Sequence, residues 1–290
     1  MKQLLILSGK GGTGKTTVAG ALIRLSAAEA YADCDVDAPN LHLLMQQSEE
    51  PKRSDYNGMP KATINTDLCV SCGQCYSHCR FDAITTEPVY RVDPFACEGC
   101  GVCEAVCLAG AVTMNPAVAG ELMLYTGHDR VFSTAQLKMG SGTTGKLVSE
   151  VKRQLKEAAG KAEFAVIDGS PGIGCPVIAS ISGVHMVLVV AEPSVSGISD
   201  MERIVRTAKT FHTRLAVCVN KYDVNLENTK KIEQFCNENS LPLVGRIPFD
   251  PEAVRAVNSG VTIVDTDCAA GRAVGAVYEK VKEILFSKAV

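Results

Sequence analysis

Gln3-Leu-Leu-Ile-Leu-Ser8-Gly9-Lys10-Gly11-Gly12-Thr13-Gly14-Lys15-Thr16-Thr17 sets the architecture of this chain. Gln3–Ser8 is a short apolar run of the kind that a parallel strand buried on both faces requires. Gly9–Thr16 satisfies G-x-x-x-x-G-K-[ST], in which glycines let backbone N–H groups converge on phosphate oxygens. Thr16 to about Glu29 reads as the helix that comes next, and its N-terminus adds positive potential at the same point. In this setting Lys15 reaches β/γ-phosphates and Thr16 ligates Mg²⁺.

Beyond this segment, strand candidates are Phe164–Asp168, Met186–Ala191, Leu215–Asn220 and Leu243–Ile247. Helical patterns lie between them at Leu147–Ala159 and Ile198–Phe211. The alternation predicts an α/β P-loop fold, a mostly parallel sheet covered by helices on both faces. It breaks between about Gln46 and Val118, where the flanks Glu49-Glu50-Pro51-Lys52-Arg53 and Asn115-Pro116 carry turn residues. The expected organisation is therefore a nucleotide-binding frame at 1–50 and 118–290, with a small inserted α+β unit at 61–115.

The insert holds eight of the thirteen cysteines in an internal repeat. Cys69-Val-Ser-Cys72-Gly-Gln-Cys75-Tyr-Ser-His-Cys79 is echoed by Cys97-Glu-Gly-Cys100-Gly-Val-Cys103-Glu-Ala-Val-Cys107. C-x₂-C-x₂-C-x₃-C is the bacterial ferredoxin run, and two copies imply two [4Fe–4S] clusters. Three close thiolates hold one cluster and the fourth cysteine serves the other. That pairs Cys69, Cys72 and Cys75 with Cys107, and Cys97, Cys100 and Cys103 with Cys79. Zinc, the other metal that thiolates suit, normally takes two cysteine pairs. The proline usual after the fourth cysteine is replaced by Arg80 and Leu108.

Composition bounds the remaining classes. The 290 residues are 46% hydrophobic and 21% charged, which excludes wholesale disorder. The net charge of −3 lacks the basic excess of a nucleic-acid binder. The insert carries that whole charge, with three basic residues against six acidic ones. No apolar run approaches the ~18 residues of a membrane span. Leu4–Leu7 is too short for a signal-peptide core, so a cytoplasmic location is expected, where thirteen cysteines favour metal over disulfides.

Lys10 extends the reading, because an ordinary P-loop does not need a lysine there. Its position resembles the signature lysine of the deviant Walker A ATPases, the MinD/ParA/Mrp group that includes the nitrogenase iron protein. The resemblance implies a nucleotide-sandwich homodimer in which Lys10 reaches the partner's phosphates. Asp33-Cys34-Asp35-Val36-Asp37-Ala38-Pro39-Asn40-Leu41 resembles the family's aspartate motif, with Asp35 orienting the attacking water and Asp33 and Asp37 in support. Ala165-Val-Ile-Asp168-Gly-Ser-Pro-Gly172 resembles switch II, with Asp168 holding Mg²⁺ through water and Gly172 sensing the γ-phosphate. Ala30-Tyr31-Ala32 reads as a short, weak strand leading into Asp33. Val219-Asn220-Lys221-Tyr222-Asp223 resembles a base-reading turn, in which Asn220 contacts adenine and Ile247-Pro248-Phe249 flanks it. Asn-Lys-x-Asp also serves guanine-specific enzymes, so the residue chemistry leaves ATP and GTP open, while the resemblance implies ATP.

Frame and insert together resemble MinD-superfamily ATPases carrying an inserted two-cluster ferredoxin domain. The resemblance implies a Mg²⁺-dependent ATPase coupled to two clusters, serving electron transfer or metallocofactor assembly with a redox or assembly partner. The alternatives are a ParA/MinD-like positioning switch with redox-sensing clusters, and a passive electron carrier. Neither nucleic acid nor stable membrane attachment is expected as a partner, and the tail Val277–Phe286 is only weakly amphipathic. Cys175 stands where the nitrogenase iron protein ligates an intersubunit cluster, but the loop aligned with its second ligand, Gly140–Gly145, offers Thr143. Cys34, Cys218, Cys236 and Cys268 read as small buried residues.

Overall fold

A computed structural model describes residues 1–47, 49–127 and 130–287. From the N-terminus run β1 (Lys2–Leu7), α1 (Lys15–Ser26), β2 (Ala30–Asp33), α2 (Leu41–Leu44) and β3 (Lys52–Asn57). The cysteine-rich segment comes next, with β4 (Lys61–Ile64), α3 (Gln74–His78), β5 (Ile84–Thr85), β6 (Arg91–Val92), α4 (Val102–Ala105) and β7 (Val112–Asn115). The chain returns through β8 (Val118–Gly127), β9 (Arg130–Leu137), α5 (Thr144–Ala158), β10 (Phe164–Asp168), α6 (Cys175–Ile181), β11 (Met186–Ala191) and α7 (Val195–Lys209). It ends with β12 (Arg214–Asn220), α8 (Leu226–Glu238), β13 (Leu243–Ile247), α9 (Pro251–Asn258) and α10 (Ala269–Phe286).

Nine strands form one sheet in the order β13-β12-β11-β1-β10-β2-β9-β8-β3. The pairs from β13 to β9 are parallel, and β8 and β3 add antiparallel pairs at one edge. The central strands are apolar on both faces because both are covered. One face packs against α5, α6, α7 and α8 through Leu147, Val151, Val177, Ile204 and Ile232. The other packs against α1 and α10 through Val18, Leu22, Val274, Val277 and Val281. The tail is thus a core helix whose apolar stripe lies inside the protein. Among the described residues no helix is long and apolar enough to cross a membrane.

The edge of the sheet corrects the sequence reading. Lys52 and Arg53, expected in a flank of turn residues, begin an edge strand, Lys52–Asn57, that pairs with β8, and the hairpin β8–β9 joins it to the sheet. Strand β2, expected to be weak, is short but wholly buried between β10 and β9. Its brevity costs little, because its neighbours satisfy both backbone edges.

The segment between β3 and β8 carries two two-stranded sheets, β4–β7 and β5–β6. Its own small core is Ala62, Cys75, Ala83, Ile84, Cys97 and Val112. The sequence repeat is also a conformational one: Gly73 and Gly101 precede α3 and α4 at φ +76° and +77°.

Candidate functional site

The loop from Gly9 to Gly14 turns β1 into α1, and its conformation is set by glycine. Gly14 lies at φ +88°, and a Cβ there would stand 2.3 Å from Asn220 Nδ2. Ser8, Lys10–Thr17, Asp35, Asn40 and Pro171 line one cleft over this loop. A second cleft shares Gly12, Gly14 and Thr17 with it and continues past Asn220 to Pro248, Phe249, Ala253, Val257 and Ile263. The first is polar and backed by a helix N-terminus, which suits phosphates. The second is largely apolar with the Asn220 amide in its wall, which suits a flat heterocycle.

Charge is concentrated under the loop. Lys15 Nζ donates to Asp168 Oδ1 at 2.5 Å, and Thr16 Oγ1 donates to Asp168 Oδ2 at 2.6 Å. Burial opposes the Lys15 ammonium, but Asp168, with Asp33 and Asp35 behind it, outweighs burial and raises its pKa. Asp33 is wholly buried and accepts the N–H groups of Asp35, Asn40 and Leu41 at 3.0, 2.9 and 2.9 Å. Burial, then the nearby Asp168 charge, push its pKa up to about 7 against those bonds and Lys15. Asp33 therefore shapes the turn that presents half-buried Asp35 to the cleft. The Asp35 pKa is also raised, by burial first and then by Asp168 and Asp37, with Lys15 opposing.

The remaining expected nucleotide residues surround the same two clefts. Gly9 packs against α7, where a Cβ would meet Asp200 Cβ at 2.0 Å. Gly11, Gly12, Thr13 and Thr17 lie along the cleft floor. Gly172, at φ +93°, donates its N–H to the Ser8 carbonyl at 3.2 Å, which ties the turn after β10 to the end of β1. Asn220 Nδ2 donates to the Thr13 carbonyl at 2.6 Å, so this residue also braces the loop. Pro248 lines the second cleft. Lys10 folds back within its own chain onto Glu192, Ser194 and Ser196. Glu192, absent from the sequence-level candidates, also takes Lys221 at 3.4 Å. Only the sheet order, with β11 beside β1, brings it to the loop.

The eight clustered cysteines divide between two cavities. Cys69, Cys72, Cys75 and Cys107 line one, with Ile64, Tyr90 and Val112. Cys79, Cys97, Cys100 and Cys103 line the other, with Ala62, Ile84 and Met114. Among the described residues no group of three or more His, Cys, Asp or Glu side chains is arranged for a single metal ion. The second cavity lies nearer the nucleotide frame. Glu98, between Cys97 and Cys100, lines a cleft with Met59, Lys61, Val118, Ser141 and Thr143. Lys61 Nζ donates to the Cys97 carbonyl at its edge. Cys175 is exposed at the start of α6 and touches the first turn of α5: a Cβ on Gly145 would lie 3.2 Å from the Cys175 carbonyl oxygen. Cys34, Cys218, Cys236 and Cys268 are buried.

A phosphate loop at the C-terminal end of a central parallel strand, with an apolar slot beside it, defines a P-loop nucleotide-binding protein. The profile of the CobQ/CobB/MinD/ParA nucleotide binding domain matches residues 4–263. The chain belongs to this family. It is 31% identical over 287 residues to the uncharacterized protein MJ0578 of Methanocaldococcus jannaschii, covering 98% of this chain and 97% of that one. It is 26% identical over 308 residues to the uncharacterized ATP-binding protein MJ0547 of the same organism, covering 98% and 94%. The solved septum site-determining protein MinD, complexed with Mg-ADP, from Pyrococcus horikoshii OT3 shares its fold. That likeness has a TM-score of 0.59 at 18% identity, over 98% of this chain and 97% of that one.

Proposed function

We propose that the chain binds and hydrolyses Mg·ATP as a homodimer and couples its nucleotide state to two [4Fe–4S] clusters. The observation that carries this reading is the division of eight cysteines into two cavities of four. Each cavity joins three cysteines of one run to the fourth of the other, the crossed ligation expected of a two-cluster ferredoxin. Thiolates spread around a cavity, instead of converging on one point, suit a polynuclear group better than a single ion. When bound, the clusters supply one-electron transfer.

In the frame, Gly9–Thr17 would hold the phosphates and Asn220 with Pro248 would border the base. Lys15 would turn from Asp168 to the β/γ-phosphates, releasing Asp168 and Thr16 to hold Mg²⁺. Asp35 would orient water for in-line attack, and Lys10 would leave Glu192 for the partner's phosphates. The gathered positive charge would stabilise the transferring phosphoryl group. The ADP-bound MinD of similar fold and the ATP-binding relative favour an adenine nucleotide.

Contacts that could carry the coupling run through two switches, switch II and the aspartate motif. Asp168 and Gly172 lead into α6, and its first residue, Cys175, packs on Gly145. From the aspartate motif, the Val36 carbonyl accepts the Leu137 N–H at 2.8 Å. Residues 138–145 come directly after, and Ser141–Thr143 share the cleft with Glu98. A change at either switch would therefore press on the loop that holds Cys97 and Cys100. The acceptor would be a redox or metallocofactor-assembly protein.

Anaerobic reconstitution tests the reading. Expected are about eight irons per chain, from two four-iron centres, with ATP turnover that differs between oxidised and reduced protein. Iron well below that level after full reconstitution removes the cluster reading. Identical turnover in both redox states removes the coupling.

A further inference from the structure

In Asn220-Lys221-Tyr222-Asp223 the aspartate has the spacing at which a guanine-binding enzyme accepts the N1–H and N2–H donors of the base. Here one of its carboxylate oxygens is engaged elsewhere. Asp223 Oδ1 accepts the Phe249 N–H at 2.8 Å, and the side chain is exposed and does not line the apolar cleft. The carboxylate that does line that cleft is Asp250. Its Oδ1 accepts the Glu252 N–H at 2.9 Å and its Oδ2 the Ala270 N–H at 3.1 Å. It therefore caps α9 and ties it to the first turn of α10.

We propose that Asp223 and Asp250 are positioning residues that build the base slot and that neither of them reads the base. Asp223 holds the backbone of Phe249 and so sets the Pro248–Phe249 wall. Asp250 fixes the start of α9, whose Ala253, Val254 and Val257 form the apolar side. Base choice then rests on the Asn220 amide. Its Nδ2 gives one hydrogen to the Thr13 carbonyl, and its Oδ1 gives one lone pair to the Lys221 N–H at 3.0 Å. One N–H and one lone pair remain, the complement of the adenine N7 acceptor and N6 donor. Guanine in the same slot would bring N1–H and N2–H donors that Asp223, outside the cleft, does not reach, and both Asp250 oxygens there already hold a backbone N–H; a donor left unmet in a desolvated slot costs affinity.

This inference rests on the reading that the cleft takes a nucleotide base, so the experiment separates the two. Binding of Mg·ATP, Mg·GTP and Mg·XTP is measured on the full chain and on its Asp223→Ala and Asp223→Asn variants. The wild type is expected to prefer ATP. Asp223→Ala should weaken ATP and GTP alike by about 3–10-fold, the range for losing a charge-assisted hydrogen bond at a partly exposed site. In hydrolysis the loss should appear in KM and not in kcat. Asp223→Asn keeps an oxygen for the Phe249 N–H, so it should recover most of the ATP affinity and gain none for XTP. A base-reading aspartate predicts the opposite: the asparagine variant would lose GTP and gain XTP, because xanthine has an acceptor at C2 where guanine has a donor. That gain, or an unchanged ATP affinity in Asp223→Ala, overturns the proposal. A wild type that binds no nucleotide removes the nucleotide reading itself.

Discussion

Lys10 and Glu192 are paired within one chain. Lys10 Nζ lies 3.0 Å from Glu192 Oε2 and donates to the hydroxyls of Ser194 and Ser196 at 3.1 and 3.3 Å. The two side chains are 35% and 22% exposed, so the pair is worth only about 0–1 kcal/mol. A tether this weak holds the lysine without locking it. Glu192→Gln removes the charge and keeps the shape, so it should raise the fraction of Mg·ATP-bound dimer a few-fold. Light scattering on nucleotide-loaded protein checks this. Lys10→Ala should lose both the dimer and hydrolysis while the circular dichroism stays that of the wild type.

Thiol reactivity separates the thirteen cysteines by environment. Burial pushes Cys34 and Cys218 up to about 12 and Cys236 up to about 11. A thiol whose pKa is raised stays protonated until the pH approaches the raised value, so at about pH 8 to 9 these three are unreactive and inaccessible. Cys268 is also buried, and its sulfur accepts the Gly271 N–H. In the insert, Cys75 and Cys97 belong to its small core, whereas Cys72 and Cys100 are exposed and are shielded only if clusters hold them. Reconstituted native protein should therefore show one fast thiol, Cys175, across that pH range. Chelating the iron should add Cys72 and Cys100. Fast reaction of Cys72 and Cys100 before chelation would show that the insert holds no clusters.

The sequence exposes most clearly the parts that burial makes uniform. Strands β10 and β11 fall at the residues their apolar runs predict, because a central parallel strand has no polar face to interrupt it. Lys52–Asn57 is hidden by the opposite circumstance: it is an edge strand on which Tyr56 alone is buried. Strand β9 is masked by Ser133 and Thr134, polar residues buried within the sheet. The phosphate loop is legible because glycine spacing and a helix start lie in one short segment. Glu192 is not, because only the adjacency of β1 and β11 brings it to Lys10. The sorting of the eight cysteines between two cavities is legible from spacing, whereas the approach of Glu98 to Ser141–Thr143 depends on how the return strand β8 leaves the insert.

Lys152 joins α5 to α6. From α5 its ammonium donates to the carbonyls of Ala179, Ser180 and Ser182 at 3.0, 2.6 and 2.5 Å, closing the C-terminal end of α6. Lys152→Met keeps the aliphatic stem but leaves those carbonyls without their donor, at a cost of about 1–3 kcal/mol. The expected signature is local. Amide exchange should accelerate across 175–182 while β1 and β11 keep their protection, and the nucleotide-induced change at the cluster loop should weaken. Uniform acceleration through the sheet would mean that Lys152 supports the whole fold and not the α5–α6 joint.

Among the positions at which the two cysteine runs differ, one yields a directional prediction. Gly99 in the second run corresponds to Ser71 in the first, and both have positive φ, +72° and +55°. Serine therefore tolerates this backbone, and conformation alone does not explain the glycine. The neighbours do: a Cβ on Gly99 would lie 2.3 Å from the Pro60 carbonyl oxygen and 2.9 Å from Met59 Cβ, in the linker that enters the insert from the frame. Gly99→Ser should push the Cys97–Cys100 loop off that linker and disturb the Cys79, Cys97, Cys100 and Cys103 set alone. Iron should fall from about eight to about four per chain, one four-iron centre lost, while ATP binding is kept. The reverse exchange, Ser71→Gly, should leave the iron content unchanged. A Gly99→Ser protein with full iron and unaltered redox response of its turnover would show that the close approach to Pro60 matters to neither cluster.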